Sequence, residues 1–495
     1  MTPLNDNAIR YIKYLNMKMQ FMADQEDYRW KLDVPKAEAL LAKLEAIVEE
    51  KTDALKKAMP KKTIFKAINR PKVMHKKDGT LSAHGEKFEA LRKKHLQHYN
   101  VQTFNIIDGY EDGNPGSHQQ VKDWLNSLGW EPCTFDYRIS TLGRMSLFGV
   151  KATEDRVEKE AHGKAEKARA IPQVRENGEL TESVKRLIEI DPAVEIMDGL
   201  TVASHRASTV KAFLECVDDE GYLVAGSHGL TNTLRFKHAK PLVNLPGVDK
   251  PYGEDIRGCL IAPEGYVLCG ADMDSLENNT KLHYMWDYDS NYCEEQMRES
   301  FDPHLDLAKF AGAVTQSQID DHVSGKVSLG GLRKAYKVTN YSATYGIQPL
   351  GLSRRGGFSV ADATALLDAF WKRNWSLEAI AKATKTKKIR DGSLWLYNPV
   401  SGFWYSLRYE KDKFSTLNQS TGVYCFDTWL KYCVGAGLKS IGQFHDEAIF
   451  LIKDGYQRWT AACIEEAMKQ TNKELSLNVE LSTTPEFGSN YAQIH

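Results

Sequence analysis

Two acidic clusters, each ending an apolar run and lying far apart in the chain, constrain this sequence more than any other feature. Near the C-terminus, Gln443-Phe444-His445-Asp446-Glu447-Ala448-Ile449-Phe450 sets adjacent acids inside a strand-like run, with Ile441 and Phe444 before them and Ala448 to Ile452 after. This pattern predicts a β-hairpin with the carboxylates at its turn. Upstream, the apolar run Tyr266 to Ala271 ends in Asp272-Met273-Asp274-Ser275-Leu276-Glu277. Carboxylates at two strand ends suggest a site for a hard cation. Taken alone, either motif is more commonly a surface turn bearing acids, so the residues between them decide.

A chain of 495 residues exceeds one ordinary domain, and roughly two to four subdomains are expected. The formal net charge is -1, so any surface for a polyanion must come from basic residues gathered on one face. The eight cysteines form no CxxC pair and no Cys/His ladder of zinc spacing, which predicts buried free thiols in a reducing compartment. Residues 1–30 carry Asp6, Asp24, Glu26 and Asp27 and lack an apolar core, unlike a signal or transit peptide. No run is apolar and long enough to span a bilayer. A cytoplasmic protein without membrane contact is expected.

Asp33 and Pro35 open a predicted helix whose Leu40, Leu41, Leu44, Ile47, Val48 and Leu55 recur at steps of three and four. From Pro60 to His98 the composition turns basic, with Ile64, Phe65 and Phe88 among the lysines. Such a segment can hold a phosphate backbone or an acidic partner, and is equally an ordinary solvated surface. Asn114-Pro115-Gly116-Ser117 predicts a loop before a short helix bearing Val121, Trp124 and Leu125. The run 153–169 is nearly all charged or small and predicts an exposed helix or an insertion. A helix is predicted around 204–214, a strand over 221–226, a helix from Asp274 through Met285, and another capped by Asp302-Pro303-His304.

A third constellation is Arg333-Lys334-Ala335-Tyr336-Lys337-Val338-Thr339-Asn340-Tyr341-Ser342-Ala343-Thr344-Tyr345-Gly346. On a helix, Arg333, Lys337, Tyr341 and Tyr345 share one face. Two cations followed by two aromatics can grip phosphates at one end and stack on a base at the other. A half-buried helix with snorkelling basic side chains explains the same pattern equally well.

The three constellations, in this order, resemble family A DNA polymerases, the DNA polymerase I-like enzymes, with the nearest look to the replicative polymerases of tailed bacteriophages. Asp272 to Glu277 looks like the family's first catalytic motif, Arg333 to Gly346 fits its RxxxKxxxFxxxYG helix, and His445-Asp446-Glu447 matches its second carboxylate motif. Asn244-Leu245-Pro246-Gly247-Val248, Pro251-Tyr252-Gly253-Glu254, the stretch from Asn114 to Trp130 and the terminal Asn490-Tyr491-Ala492 extend the likeness over most of the chain; residues 60–113 and 150–170 have no firm counterpart.

The resemblance implies an α+β fold of the right-hand type: an antiparallel palm sheet with mostly helical fingers and thumb. Residues 1–215 would form an N-terminal segment and thumb with a basic insertion at 60–113. Residues 216–300 and 396–495 would form the palm and 301–395 the fingers. It implies a template-directed DNA polymerase that extends a primer 3′-hydroxyl with deoxynucleoside triphosphates by two-metal phosphoryl transfer and releases pyrophosphate. Magnesium is the expected ion, two per site, with manganese as the substitute, held by Asp272, Asp446, the Met273 carbonyl and Glu447. Arg333, Lys337 and His304 would meet the triphosphate. Tyr341 would pack on sugar and base, Tyr345 and Gly346 would complete the substrate side, and Glu277 would exclude a 2′-hydroxyl. His445, Gln419, Arg408 and Arg235 would touch primer-template DNA.

The chain departs from the family pattern in places. The first motif reads DMDSLENN, with Asn279 in place of an Arg and Asp274 as an added acid; Ser342 and Ser415 replace a Gly and an Asn; and Thr231-Asn232-Thr233-Leu234-Arg235 stands for the upstream TGR motif. No DxE exonuclease motif precedes the thumb-like part, so proofreading is expected from a separate exonuclease protein. The basic insertion falls where phage relatives hold a processivity factor. The alternatives are a catalytically inactive DNA-binding protein with the same fold, or a polymerase with relaxed template or sugar choice; Glu277 argues against ribonucleotide use.

Overall fold

The computed structural model describes residues 5–132, 135–138, 166–170, 178–356 and 360–494. They fall into two compact units. The first comprises residues 1–43, 134–170 and 205–495, the second 44–133 and 171–204. Of the expected N-terminal segment and thumb, residues 1–43 and 205–215 belong to the first unit, and 44–133, with the basic insertion, to the second. Most of the run 153–169 lies outside the described residues. Glu166–Ala170, which overlaps its end, is a strand paired with Phe135–Arg138; of the two readings, exposed helix or insertion, the helix does not extend over these residues.

An antiparallel sheet of four strands organises the first unit, in the order β2-β3-β1-β4, where β1 is Tyr266–Met273, β2 Ser440–Phe444, β3 Glu447–Lys453 and β4 Thr483–Gly488. Strand β1 is central, and its Leu268, Cys269 and Ala271 are fully buried. That is why its sequence reads as a continuous apolar run and does not alternate. Gly270 is required here, because a Cβ would come within 2.9 Å of the Ile494 carbonyl oxygen.

The same unit contains the helices α1 (Asp6–Tyr28), α2 (Leu276–Gln296, broken at Asp289), α3 (Pro303–Phe310), α4 (Gly330–Thr344), α5 (Lys413–Gly435) and α6 (Gln457–Leu475). Helix α5 is buried on nearly every side, as expected of a helix through the middle of a core. Its Cys425, Phe426, Trp429, Leu430 and Cys433 pack with Cys269, Ala271, Ala448 and Phe450 of the sheet and with Ile464 and Met468 of α6. Each large side chain so buried contributes roughly 1.5–3 kcal/mol. A second core joins Leu282 and Met285 of α2, Leu307 of α3, Tyr336 and Ala343 of α4 and Phe370 of the helix Val360–Arg373.

Helix α3 begins as its sequence predicts. Asp302 caps it by accepting from the backbone N–H of His304 at 2.8 Å and of Leu305 at 3.0 Å, with Pro303 in the first turn. The predicted strand 221–226 shrinks to Tyr222–Leu223. The predicted loop at Asn114 to Ser117 leads into the helix His118–Ser127, capped by Ser117.

In the second unit the basic stretch becomes a two-stranded antiparallel ribbon, Lys62–Asn69 against Thr103–Glu111, with the helix Ala83–Lys94 between them in sequence. Phe88 and Phe104 form a small core with ring centroids 5.7 Å apart. Phe65, Ile107 and Tyr110 remain exposed on the ribbon. Among the described residues, no helix is long and apolar enough to cross a membrane.

Candidate functional site

Asp272 is the penultimate residue of β1, directly opposite Glu447 of β3. His445 and Asp446 form the turn between β2 and β3, as the sequence predicts, while Glu447 already belongs to the strand. The Met273 N–H donates to the Asp446 carbonyl at 3.1 Å, so the two acidic motifs are joined through their backbones. His445 adopts a φ of 66°, a left-handed conformation that His tolerates better than most residues but that still costs on the order of 1–3 kcal/mol.

Burial first, and then the nearby Asp446 and Asp274, together push the Asp272 carboxyl up to about 6. The Asp274 carboxylate accepts from the Ser482 hydroxyl at 2.7 Å. Glu447, 7% exposed, is pushed up to about 8 by burial, although the Tyr491 hydroxyl donates to it at 3.0 Å. Carboxylates that repel one another in partly dry surroundings favour a divalent cation as the neutralising group. Among the described residues no three His, Cys, Asp or Glu side chains converge to hold a metal ion by themselves.

Three cavities surround this point. One of about 240 Å³ is bordered by Asp272, His445, Asp446 and Glu447, with Arg257 and Tyr491 behind. A narrow one gathers Arg235, Glu277, Gln419, His445 and Asp446. A third, of about 290 Å³, lies between α2, α3 and α4 and is bordered by Glu277, His304, Tyr341 and Tyr345.

Helix α4 carries Arg333, Lys337 and Tyr341 as the four-residue spacing predicts, with Tyr345 as its C-cap and Gly346, at φ 72°, closing the turn. Arg333 pairs with Asp302, the cap of α3. Lys337 is exposed, its ammonium 5.9 Å from the Tyr341 ring centroid. His304 is 6% exposed and burial pulls its imidazole down to about 4. It is therefore uncharged at neutral pH in the free protein and faces Asn340 Nδ2 at 3.0 Å. Tyr345 donates its hydroxyl to Glu277.

Of the residues singled out by sequence, Asp272, Met273, Glu277, His304, Tyr341, Tyr345, Gly346, Arg235, Gln419, His445, Asp446 and Glu447 are brought to the cavities or the elements framing them. Arg408 is not: it is exposed just beyond the strand Phe403–Leu407 and borders none of the three. Sequence reasoning missed His238, Arg257, Lys281 and Asn418, which line these cavities. None of them sits in a patterned motif; only Tyr491, in the terminal Asn490-Tyr491-Ala492, carried a signal.

Residues 164–394 match the model of DNA polymerase family A. That stretch includes Asp272 and the whole of α4 and stops short of His445-Asp446-Glu447. DNA polymerase I of Mycobacterium tuberculosis is 26% identical over 187 residues, 37% of this chain and 19% of that protein. DNA polymerase I of Pseudomonas aeruginosa is 23% identical over 270 residues, 51% of this chain and 28% of that protein. The matched part thus spans well under a third of these relatives' own length. Among solved structures, the POL domain of Pol1 from M. smegmatis, in complex with DNA primer-template and dNTP, superposes with a TM-score of 0.59 at 17% identity, covering 96% of this chain and 70% of that one. At that identity the likeness establishes the fold.

Proposed function

We propose that this chain, whose residues 164–394 carry a DNA polymerase family A domain, extends a primer 3′-hydroxyl with deoxynucleoside triphosphates on a DNA template. The observation that carries this reading is the backbone union of the Asp272 and Asp446 motifs at one end of the sheet, in the same unit as the basic and aromatic face of α4. The relative of known structure was solved with primer-template and dNTP, which supports the same ligands here.

Asp272 and Asp446 would hold two magnesium ions, with the Met273 carbonyl as a further ligand and Glu447 close behind. When bound, such ions lower the pKa of the attacking hydroxyl and stabilise the leaving pyrophosphate. The remaining work falls to the protein. Arg333 and Lys337 offer charged donors to the triphosphate. His304, uncharged when free, serves as a hydrogen-bonding group whose proton uptake the phosphates would favour. Tyr341 offers its face to the base and sugar, and Glu277, fixed by Tyr345, crowds a 2′-hydroxyl. Arg235, Gln419 and His445 line the path of the primer terminus.

The exposed Phe65, Ile107 and Tyr110 on the ribbon support a role for 60–113 in holding a processivity factor during phage DNA replication. Deleting 62–110 should shorten products per binding event and spare single-nucleotide addition.

The deciding experiment is primer extension with magnesium, comparing deoxy- and ribonucleotides on DNA and RNA templates. Wild type should extend with deoxynucleotides on DNA, and Asp272→Ala and Asp446→Ala should lose extension while retaining DNA binding. Near-normal extension by either variant would overturn the assignment.

A further inference from the structure

The cavity between α2, α3 and α4 contains polar groups that the proposed mechanism leaves idle. Lys281 follows Glu277 by one helical turn, so both side chains lie on the same face of α2. Its Nζ donates to Oε1 of Gln296 at 3.0 Å. Among the described residues it meets no carboxylate, and burial pulls its ammonium down to about 8. The Nε2 of Gln296 is buried and has no partner among the described residues. Across the cavity Asn418, 1% exposed, donates its Nδ2 to the Glu277 carbonyl at 2.9 Å and leaves Oδ1 buried and unpaired.

Leaving a buried polar group without a partner costs about 1–3 kcal/mol, and more for a charge. Two such amide atoms and an ammonium with protons to spare, bordering one 290 Å³ space, therefore describe the ligand that would relieve them. An ammonium with spare protons and an amide N–H ask for an anionic oxygen. A lone carbonyl oxygen asks for a hydroxyl or N–H. His304, uncharged when free, brings no charge of its own to the cavity before the anion binds. Tyr341, Tyr345 and Asn340 complete the wall, so the ligand enters beside aromatic rings. A phosphate and a hydroxyl joined through a small ring system are the parts of a nucleoside polyphosphate.

We propose that Lys281, braced by Gln296, receives a phosphate oxygen of the incoming nucleotide while Asn418 accepts a hydroxyl of its sugar. Lys281 is then a further cation of the nucleotide site beside Arg333 and Lys337, reaching the triphosphate from the palm-side helix. This rests on the polymerase reading, since only that reading brings a nucleoside triphosphate to the cavity.

The test is steady-state primer extension at saturating primer-template, with inorganic tripolyphosphate as a competitor that has no sugar. Lys281→Met should raise KM for the deoxynucleotide about tenfold, as for loss of a charge-assisted hydrogen bond. It should leave kcat within about twofold, because ground state and transition state lose the contact alike. The inhibition constant of tripolyphosphate should rise in parallel, and Lys281→Arg should restore most of both. Asn418→Ala should raise KM and leave tripolyphosphate inhibition unchanged. Lys281→Gln, which keeps a polar group in the cavity, serves in place of Lys281→Met if the latter fails to fold. Unchanged KM and unchanged tripolyphosphate inhibition in an actively extending variant overturn the inference and leave the polymerase reading intact. Absence of extension by the wild-type chain overturns both.

Discussion

The hydroxyl of Tyr345 donates to Oε2 of Glu277, joining the C-terminal end of α4 to the first turn of α2. Glu277 is thereby fixed on the wall of the 290 Å³ cavity, in surroundings that raise its carboxyl above the usual range chiefly through burial. A carboxylate held by a donor discriminates against a neighbouring group more sharply than one free to swing aside. Removal of the phenolic hydroxyl in Tyr345→Phe should raise ribonucleotide incorporation relative to deoxynucleotide by about tenfold, the worth of one hydrogen bond to a charged group. Competition between the two nucleotides in single-turnover extension reads this directly. An unchanged ratio would separate Glu277 from sugar choice.

Lys18 of α1 and Asp427 of α5 form an ion pair in which each side chain is 1% exposed. The ammonium lies 2.8 and 2.6 Å from the two carboxylate oxygens, and the Tyr14 hydroxyl donates to the same carboxylate. Asp427→Ala should destabilise the protein by about 3–5 kcal/mol, because it strands a buried ammonium. Replacing both partners, as Lys18→Met with Asp427→Leu, should recover most of that loss. Urea denaturation of Lys18→Met, Asp427→Leu and the double variant, beside Asp427→Ala, measures the cycle. A double variant as unstable as Asp427→Ala would assign the effect to packing.

These features were unequally legible in the sequence. The hairpin at Asp446, the strand ending at Asp272 and the helix from Arg333 were readable because each follows a local rule: alternation broken by a turn, a buried central strand, a spacing of four. The Lys18–Asp427 pair was not, since its members stand far apart and neither lies in a patterned run. The same holds for Lys281 and Asn418, ordinary polar residues on helices whose burial depends on how α2, α3, α4 and α5 pack. The strand Glu166–Ala170 was not legible, because a charged run shows no strand signal unless its pairing partner is known.

Two histidines should set the acid limb of stability. Burial is the main cause that lowers both His304 and His238 to about 4. In the unfolded chain each takes up a proton near pH 6.5, whereas in the folded chain each resists until about pH 4. Their destabilising effect is therefore absent above pH 6.5 and grows as pH falls towards 4. For His304, 6% exposed, the displacement amounts to at most about 3 kcal/mol. His304→Gln should flatten the fall in denaturation free energy between pH 6.5 and 4. A slope equal to that of wild type would mean that His304 ionises freely in the folded protein.

Gly442 lies on β2 just before the turn that carries His445 and Asp446, against the indole of Trp30, which is fully buried and donates Nε1–H to the Ile441 carbonyl at 2.6 Å. A Cβ at Gly442 would stand 2.7 Å from the Trp30 ring and 3.0 Å from that of Phe444. Neither ring can yield easily: Trp30 is wedged edge-on against Tyr491 at 5.1 Å between centroids, and Tyr491 in turn donates to Glu447. The strain of one added methyl must therefore move the hairpin itself. Gly442→Ala should cost about 1–3 kcal/mol in stability and lower kcat for extension by more than tenfold, since a shift well under 1 Å at Asp446 misplaces the reacting groups. KM for the nucleotide, set by groups on α2, α4 and α5, should change little. Adding Trp30→Phe frees space on the far side of the methyl and should restore part of kcat. Failure of that rescue, with kcat still depressed, would place the defect in the backbone of β2 and not in its contact with Trp30.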